Sequence, residues 1–205
     1  NREQAGELLA DKLSNYRGED TVVIAIPRGG VIVAAVIAKS LGATLRIIVV
    51  RKIGAPENPE LAIGAVSANS IVWDKALCSR LGITERLKKK LMDKKRKEVK
   101  ERERLFAVDK DIDFSRETAI LVDDGVATGA TIIAAVRFLQ NLGKKKPRSI
   151  IVAVPVIAQD TFEGMKREVE QVVYIDAPKE FRSVGQFYED FPQVEDEEVM
   201  KLLSN

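Results

Sequence analysis

The stretch Thr118-Ala119-Ile120-Leu121-Val122-Asp123-Asp124-Gly125-Val126-Ala127-Thr128-Gly129-Ala130-Thr131 decides how the chain is read. Thr118 to Val122 is apolar without alternation, the pattern of a strand buried on both faces of a parallel sheet. Two carboxylates end it. Gly125, Thr128, Gly129 and Thr131 follow and lead directly into a helical segment, Ala130 to Leu142, closed by Gly143. Acids, glycines and threonines thus meet at one strand–helix junction.

That junction has a chemistry. Backbone N–H groups at a helix N-terminus attract anions. Glycines let the backbone come close, and Thr128 and Thr131 add hydroxyl donors. The carboxylates, one turn earlier, accept hydrogen bonds from neutral hydroxyls. A ligand with a phosphate at one end and a vicinal diol at the other fits both halves, and ribose 5-phosphate is such a ligand. The Walker pattern is excluded because no lysine follows Gly129, and the G-x-G-x-x-G dinucleotide turn is absent. A plain glycine turn with acidic capping is the weaker alternative.

Outward from this loop, apolar runs alternate with amphipathic segments. Thr21 to Ile26 reads as a buried strand stopped by Pro27-Arg28-Gly29-Gly30, and Val31 to Leu41 as the helix after it. Leu45 to Val50 reads as a second buried strand ended by Arg51-Lys52. Arg148 to Val154 and Gln171 to Ile175 complete five strands, with Gln159 to Glu170 a helix between them. Arg2 to Leu13 is a helix with Ala5, Leu8, Leu9 and Leu13 on one face. Leu61 to Val66 and Ser70 to Trp73 suit a hairpin around Ala68-Asn69. Asp196 to Leu203 is a short last helix.

This alternation predicts an α/β fold: a doubly wound, mostly parallel five-stranded sheet with flanking helices. Ligands of such sheets sit beyond the carboxyl ends of the strands. Pro27 to Gly30, Arg51-Lys52 and Asp123 to Gly125 should therefore converge on one crevice. We read residues 1–205 as a single domain.

Composition narrows the chemistry. The 205 residues include no histidine, which removes His-based metal sites and the Ser-His-Asp triad. A metal would have to be a hard cation held by oxygen, such as Mg²⁺. Cys78 is the single cysteine, fitting a reducing compartment and hence the cytoplasm. There is no long apolar run, so no membrane partner is expected. The polar start, Asn1-Arg2-Glu3-Gln4, is unlike a secretory signal, and its lack of Met suggests that residues are missing ahead of it. Net charge is only +2 although 31% of residues are charged, so charge alone names no partner. Abundant Lys, Arg and Glu with one Cys resembles a thermophile composition.

The thirteen residues from Ala119 to Thr131 resemble the 5-phosphoribosyl-1-pyrophosphate (PRPP) motif of type I phosphoribosyltransferases. Strand order and other loops match over most of the chain. The resemblance implies that Asp123 and Asp124 bind the ribose hydroxyls and, with Asp190 or its neighbour Glu189, approach Mg²⁺. It implies that the loop Gly125, Val126, Ala127, Thr128, Gly129, Ala130 and Thr131 holds the sugar phosphate, with Ala127 to Thr131 around the 5-phosphate. Arg28, Gly29 and Gly30 resemble the pyrophosphate loop, which in this family often carries a non-proline cis peptide, here Pro27–Arg28. Arg51 and Lys52 resemble the basic pair that helps hold pyrophosphate. Residues 53–110 would be a lid and a basic helical insertion, and residues 177–205 a C-terminal hood.

Such enzymes move 5-phosphoribosyl from PRPP to a nitrogen nucleophile with inversion, through an oxocarbenium-like transition state. Mg²⁺, Arg28, Arg51 and Lys52 would neutralise the departing pyrophosphate. Enzymes for 6-oxopurines carry an aspartate where this chain has Ala127. Adenine-type enzymes have alanine there and an acid in the lid, a part open to Glu57 or Glu60. Pro178 to Gly185 resembles the base-binding segment of 6-oxopurine enzymes, with Phe181 stacking on the base. The lysine that reads the 6-oxo group has no counterpart near Val154-Pro155-Val156. The acceptor is thus a nucleobase or similar nitrogen compound, with purine favoured. Phe187, Tyr188 and Phe191 read as residues that close a core.

Leu87 to Arg104 is dense in Lys and Arg with interspersed Glu. It reads as a solvated helix with a narrow apolar stripe (Leu87, Leu91, Val99) and an exposed Glu98–Arg102 pair. A nucleic-acid surface is disfavoured by those acids and by the lack of interleaved aromatics. A homodimer is expected. A PRPP- or nucleotide-sensing regulator remains the second reading, since the sugar-phosphate motif is shared by both classes.

Overall fold

The computed structural model describes residues 1–18, 20–59, 61–67, 71–108 and 113–204. Five parallel strands form the main sheet: β1 (Thr21–Ala25), β2 (Thr44–Ile47), β6 (Thr118–Val122), β7 (Ser149–Val156) and β8 (Gln171–Asp176), in the order β2-β1-β6-β7-β8. A three-stranded antiparallel sheet, β3 (Arg51–Gly54), β4 (Ala62–Val66) and β5 (Ile71–Trp73), stands apart from it. The helices are α1 (Arg2–Lys12), α2 (Gly29–Leu41), α3 (Lys75–Arg80), α4 (Glu85–Leu105), α5 (Ala130–Gln140), α6 (Gln159–Met165) and α7 (Asp196–Leu203).

The main sheet is a wall between two cores, which explains why its central strands are apolar throughout. Val23, Ala25, Ile120, Val122, Ile151 and Ala153 point to the α1–α2 side. Val22, Ile24, Ala119, Leu121, Val152 and Val154 point to the α5 side. Successive side chains alternate across the sheet, so every residue of β1 and β6 is buried. The strand order reverses direction between β1 and β6. At that switch point the two following loops part and leave a crevice.

Several sequence-level expectations change. Leu45 to Val50 is not one buried strand. β2 covers only Thr44–Ile47 and is an edge, with Thr44 and Arg46 exposed. Ile48, Val49 and Val50 leave the sheet and plug both cores. Arg51-Lys52 therefore opens β3 instead of ending β2. The extended loop expected from Ile53 begins inside β3, and the hairpin is two strands of a three-stranded sheet. Its expected turn at Ala68-Asn69 lies outside the described residues. α6 stops at Met165, because Glu170 turns back to donate its N–H to the Ile150 carbonyl at 3.1 Å.

Leu8 faces outward at 53% exposure, so α1 buries Ala5, Leu9 and Leu13 without it. α3 was not foreseen, although Asp74 caps it by accepting from the Leu77 N–H at 2.9 Å. α4 packs on β3 and β4 and buries Val99. The expected Glu98–Arg102 pair does not form. Glu98 accepts from Lys95 at 2.9 and 3.0 Å, while Arg102 donates to Asp196 at 3.0 Å.

Candidate active site

The crevice at the switch point is a cavity of about 260 Å³. Its lining comes from the segments that follow three strands and from the ends of three helices. Ile26, Pro27 and Arg28 follow β1, and Gly29 opens α2; Ile48, Val49 and Val50 run between β2 and β3, and Arg51 opens β3; Asp123 and Asp124 follow β6; Thr131 lies in the first turn of α5 and Arg102 in the last turn of α4. Arg28, Gly29, Arg51, Asp123, Asp124 and Thr131 are thus brought together. Lys52 is half-buried and absent from the lining, as expected of the residue that points opposite to Arg51 on β3.

Glycines here are required by packing. A Cβ on Gly29 would land on the Asp124 carboxylate oxygen. A Cβ on Gly30 would stand 2.8 Å from the Asp123 Cα and 2.9 Å from the Val122 carbonyl oxygen. The Gly29-Gly30 pair lets the start of α2 sit directly on the β6 loop. The Pro27–Arg28 peptide is cis.

Past the acids, Gly129 sits at φ 72° and opens α5. That left-handed backbone favours glycine. The first N–H groups of α5 have no intrahelical acceptor, and among the described residues no side chain caps them. Ala127 and Thr128 are exposed beside them, while Ala130 is buried. Thr161 donates to the Ala127 carbonyl at 2.6 Å and steadies the loop. Val126 is committed differently: its N–H donates to Val156, its carbonyl accepts from Ala158, and its side chain is buried.

The two carboxylates are not equivalent. Asp124 Oδ2 accepts from Arg2 Nε at 2.8 Å. Arg2 is 6% exposed, also donates to the Pro192 carbonyl at 2.8 Å, and lies 3.8 Å over the Phe191 ring. Burial first, and the neighbouring Asp124 second, push the Asp123 carboxyl well above the usual carboxylate range. Its Oδ1 accepts from the Asp124 N–H at 2.9 Å. Tyr188 donates its hydroxyl to the Asp124 carbonyl at 2.7 Å, and burial raises the phenol above its ordinary value. Tyr188 and Phe191 therefore close over the acidic loop.

Other expected residues stand apart. Phe181 pairs with Phe187 at a 5.0 Å centroid distance and does not line the cavity. Asp190 is exposed and outside the lining. Glu57 is exposed, and Glu60 lies outside the described residues. Among the described residues no group of three or more Cys, Asp or Glu side chains is placed to hold a metal. Asp123 and Asp124 suit a Mg²⁺ that arrives with phosphate oxygens better than one caged by protein.

The phosphoribosyl transferase domain model matches residues 2–190. This chain belongs to that family. TT1426 from Thermus thermophilus is 38% identical and superposes with a TM-score of 0.87, over 99% of this chain and 96% of that one. A Mycobacterium tuberculosis protein is 37% identical over 207 residues, covering 98% of this chain. Its name makes it a phosphoribosyl transferase while marking the assignment as unproven. The chain spans 45% of that relative's length.

Within this phosphoribosyl transferase domain, sequence reasoning missed Arg2 and Arg102. Arg2 read only as the first residue of a helix within a polar start. Its only signal was a position ahead of the apolar face of α1, and nothing local tied it to Asp124, 122 residues away. Arg102 was hidden among the many charges of α4.

Proposed function

We propose that this domain binds PRPP with Mg²⁺ and transfers its 5-phosphoribosyl group to a nitrogen acceptor, releasing pyrophosphate. The observation that carries the reading is the single cavity shared by Arg28, Arg51, Asp123, Asp124 and Thr131. Asp123 and Asp124 would accept from the ribose hydroxyls. The N–H groups from Ala127 to Thr131 would hold the 5-phosphate at the N-terminus of α5. Arg28 and Arg51 would take the pyrophosphate, with Lys52 near the same strand start. Mg²⁺, when bound, would neutralise the phosphate oxygens beside Asp123 and Asp124.

In the reaction the anomeric C–O bond to pyrophosphate breaks and a C–N bond to the acceptor forms with inversion. The acceptor nitrogen loses one proton. Guanidinium groups fixed around the leaving oxygens stabilise the developing charge without reorganising. A purine acceptor, stacked on Phe181, a homodimer and a cytoplasmic setting belong to the same proposal. Among the described residues no helix is long and apolar enough to cross a membrane.

The test is pyrophosphate release from PRPP and Mg²⁺ across a panel of nucleobases and other nitrogen acceptors. Release with one acceptor, lost in Asp124→Asn, is the expected result. PRPP binding with no release for any acceptor would move the assignment to a sensor of PRPP or a nucleotide.

A further inference from the structure

Three guanidinium groups reach the cavity, and one of them comes from the insertion. Arg28 follows β1 and Arg51 opens β3. Arg102 lies in the last turn of α4, nearly at the end of a helix that otherwise reads as solvated charge. The Nε of Arg51 is buried and has no hydrogen-bond partner among the described residues, leaving a donor beside the cavity unused.

Arg28 and Arg102 meet on a single atom. Asp196 Oδ1 lies 3.0 Å from Arg102 Nη1 and 3.7 Å from Arg28 Nη1. Glu195 Oε2 is 3.9 Å from Arg28. One carboxylate oxygen thus sits between two guanidinium groups at the edge of a cavity lined by a third. All three side chains of the trio are 29% exposed, so solvent and ligand can reach them. The charge balance favours a further anion. Asp124 already has Arg2 as its partner, and Asp196 and Glu195 supply two charges against the three cations Arg28, Arg51 and Arg102.

We propose that Arg102 is a third guanidinium of the pyrophosphate site, and that Asp196 holds its place until a diphosphate displaces it. The proposal rests on the PRPP reading above. A diphosphate offers several oxygens for forked hydrogen bonds to arginine, which one carboxylate oxygen does not. Binding would therefore transfer Arg28 and Arg102 from Asp196 to the ligand. It would also loosen the link between α4 and α7, so the insertion reports whether the site is filled.

A purely structural role makes a different forecast. If Arg102–Asp196 only staples α4 to α7, removing either partner has the same sign. If Asp196 competes with the ligand, the two changes have opposite signs.

The experiment is a calorimetric titration of the full chain with inorganic pyrophosphate in Mg²⁺ and, separately, with ribose 5-phosphate. Arg102→Gln should weaken pyrophosphate binding about tenfold or more, the loss expected for charged hydrogen bonds, and leave ribose 5-phosphate within about twofold. Asp196→Asn should tighten pyrophosphate binding, by about threefold for a partly exposed competitor. Arg102→Lys, which keeps the charge but not the fork, should fall between wild type and Arg102→Gln, and it carries the test if the glutamine variant fails to fold. Wild-type pyrophosphate affinity in Arg102→Gln, or weaker binding in Asp196→Asn, would overturn the proposal with the PRPP reading intact. Binding of neither ligand by the unaltered chain would remove both.

Discussion

The β6–α5 loop and the segment from β3 to α4 reach the same cavity by opposite routes. In the loop, local sequence dictates geometry. A five-residue strand buried on both faces ends in two acids, a glycine at φ 72° opens the helix, and the chain has few other conformations to take. In the β3–α4 segment, distant contacts dictate geometry. Arg51 and Arg102 are 51 positions apart and meet because β3 and β4 pack against α4. Sites of the first kind can be read from a motif. Sites of the second kind need the fold.

Arg2 is the strongest way to break that comparison, because the loop's acid depends on it from afar. Removing one member of a buried ion pair leaves the other uncompensated and costs about 3–5 kcal/mol. Asp124 is only 16% exposed, so Arg2→Ala should lose about 3 kcal/mol, the lower end of that range. For a chain of this size that lowers the melting midpoint by roughly 6–12 °C. A change no larger than that of a surface substitution would show that the loop holds Asp124 unaided.

Gly30→Ala should come next, at about 1–3 kcal/mol for overpacking. Its Cβ meets the Asp123 Cα and the Val122 carbonyl, which are backbone atoms that cannot rotate away. Denaturant midpoints measure the loss. Wild-type stability in Gly30→Ala would mean that the α2 start does not seat on the loop as described.

The balance between local and distant determinants also explains what was legible in the sequence. β1, β6 and β7 and the parallel sheet followed from apolar runs, and the residues that stop them put Pro27 to Gly30, Arg51-Lys52 and Asp123 to Gly125 at one crevice, of which Pro27, Arg28, Gly29, Arg51, Asp123 and Asp124 line the cavity. The boundary at Val50 was not legible, because an apolar run does not say where one sheet ends and another begins. Ile48 to Val50 lie outside the strands and are buried in both cores, with the Ile48 N–H still reaching the Ala25 carbonyl of β1 at 3.2 Å. Glu98–Arg102 had the right spacing for a helical pair, but Asp196 offers Arg102 a partner from outside the helix. Arg2 shared the helical phase of Ala5 and Leu9, but nothing local named Asp124 as its partner.

Asp123 gives a smaller, pH-dependent effect. Its carboxyl is raised in the folded chain, so the native state holds its proton to higher pH than the unfolded chain does. Stability from this group is therefore greatest in acid. It falls as pH rises from the ordinary carboxylate range, about pH 4, through the raised value, and then levels. Asp123→Asn should abolish that fall, because the amide keeps the acceptor for the Asp124 N–H and cannot ionise. The difference in melting midpoint between wild type and variant, followed against pH, isolates the group from carboxylates of opposite sign. Asp123→Asn should be the more stable protein at neutral pH while binding ribose 5-phosphate more weakly. A pH-independent difference would remove the assigned ionisation.

The smallest effect belongs to Glu98, whose helical spacing pointed to Arg102 and whose partner is Lys95. The Lys95–Glu98 pair lies on the surface of α4, with the two side chains 36% and 39% exposed. Exposed pairs within a helix are worth about 0.3–0.5 kcal/mol, so Glu98→Gln should move the midpoint by at most about 2 °C. It should leave pyrophosphate affinity unchanged, because Arg102 is held by Asp196 and not by Glu98. That contrast separates Arg102, which lines the cavity, from the charges that solvate the rest of α4. If Glu98→Gln altered pyrophosphate binding as much as Arg102→Gln, the general charge of α4 would be the active quantity. The placement of Arg102 over Asp196 would then carry no specific meaning.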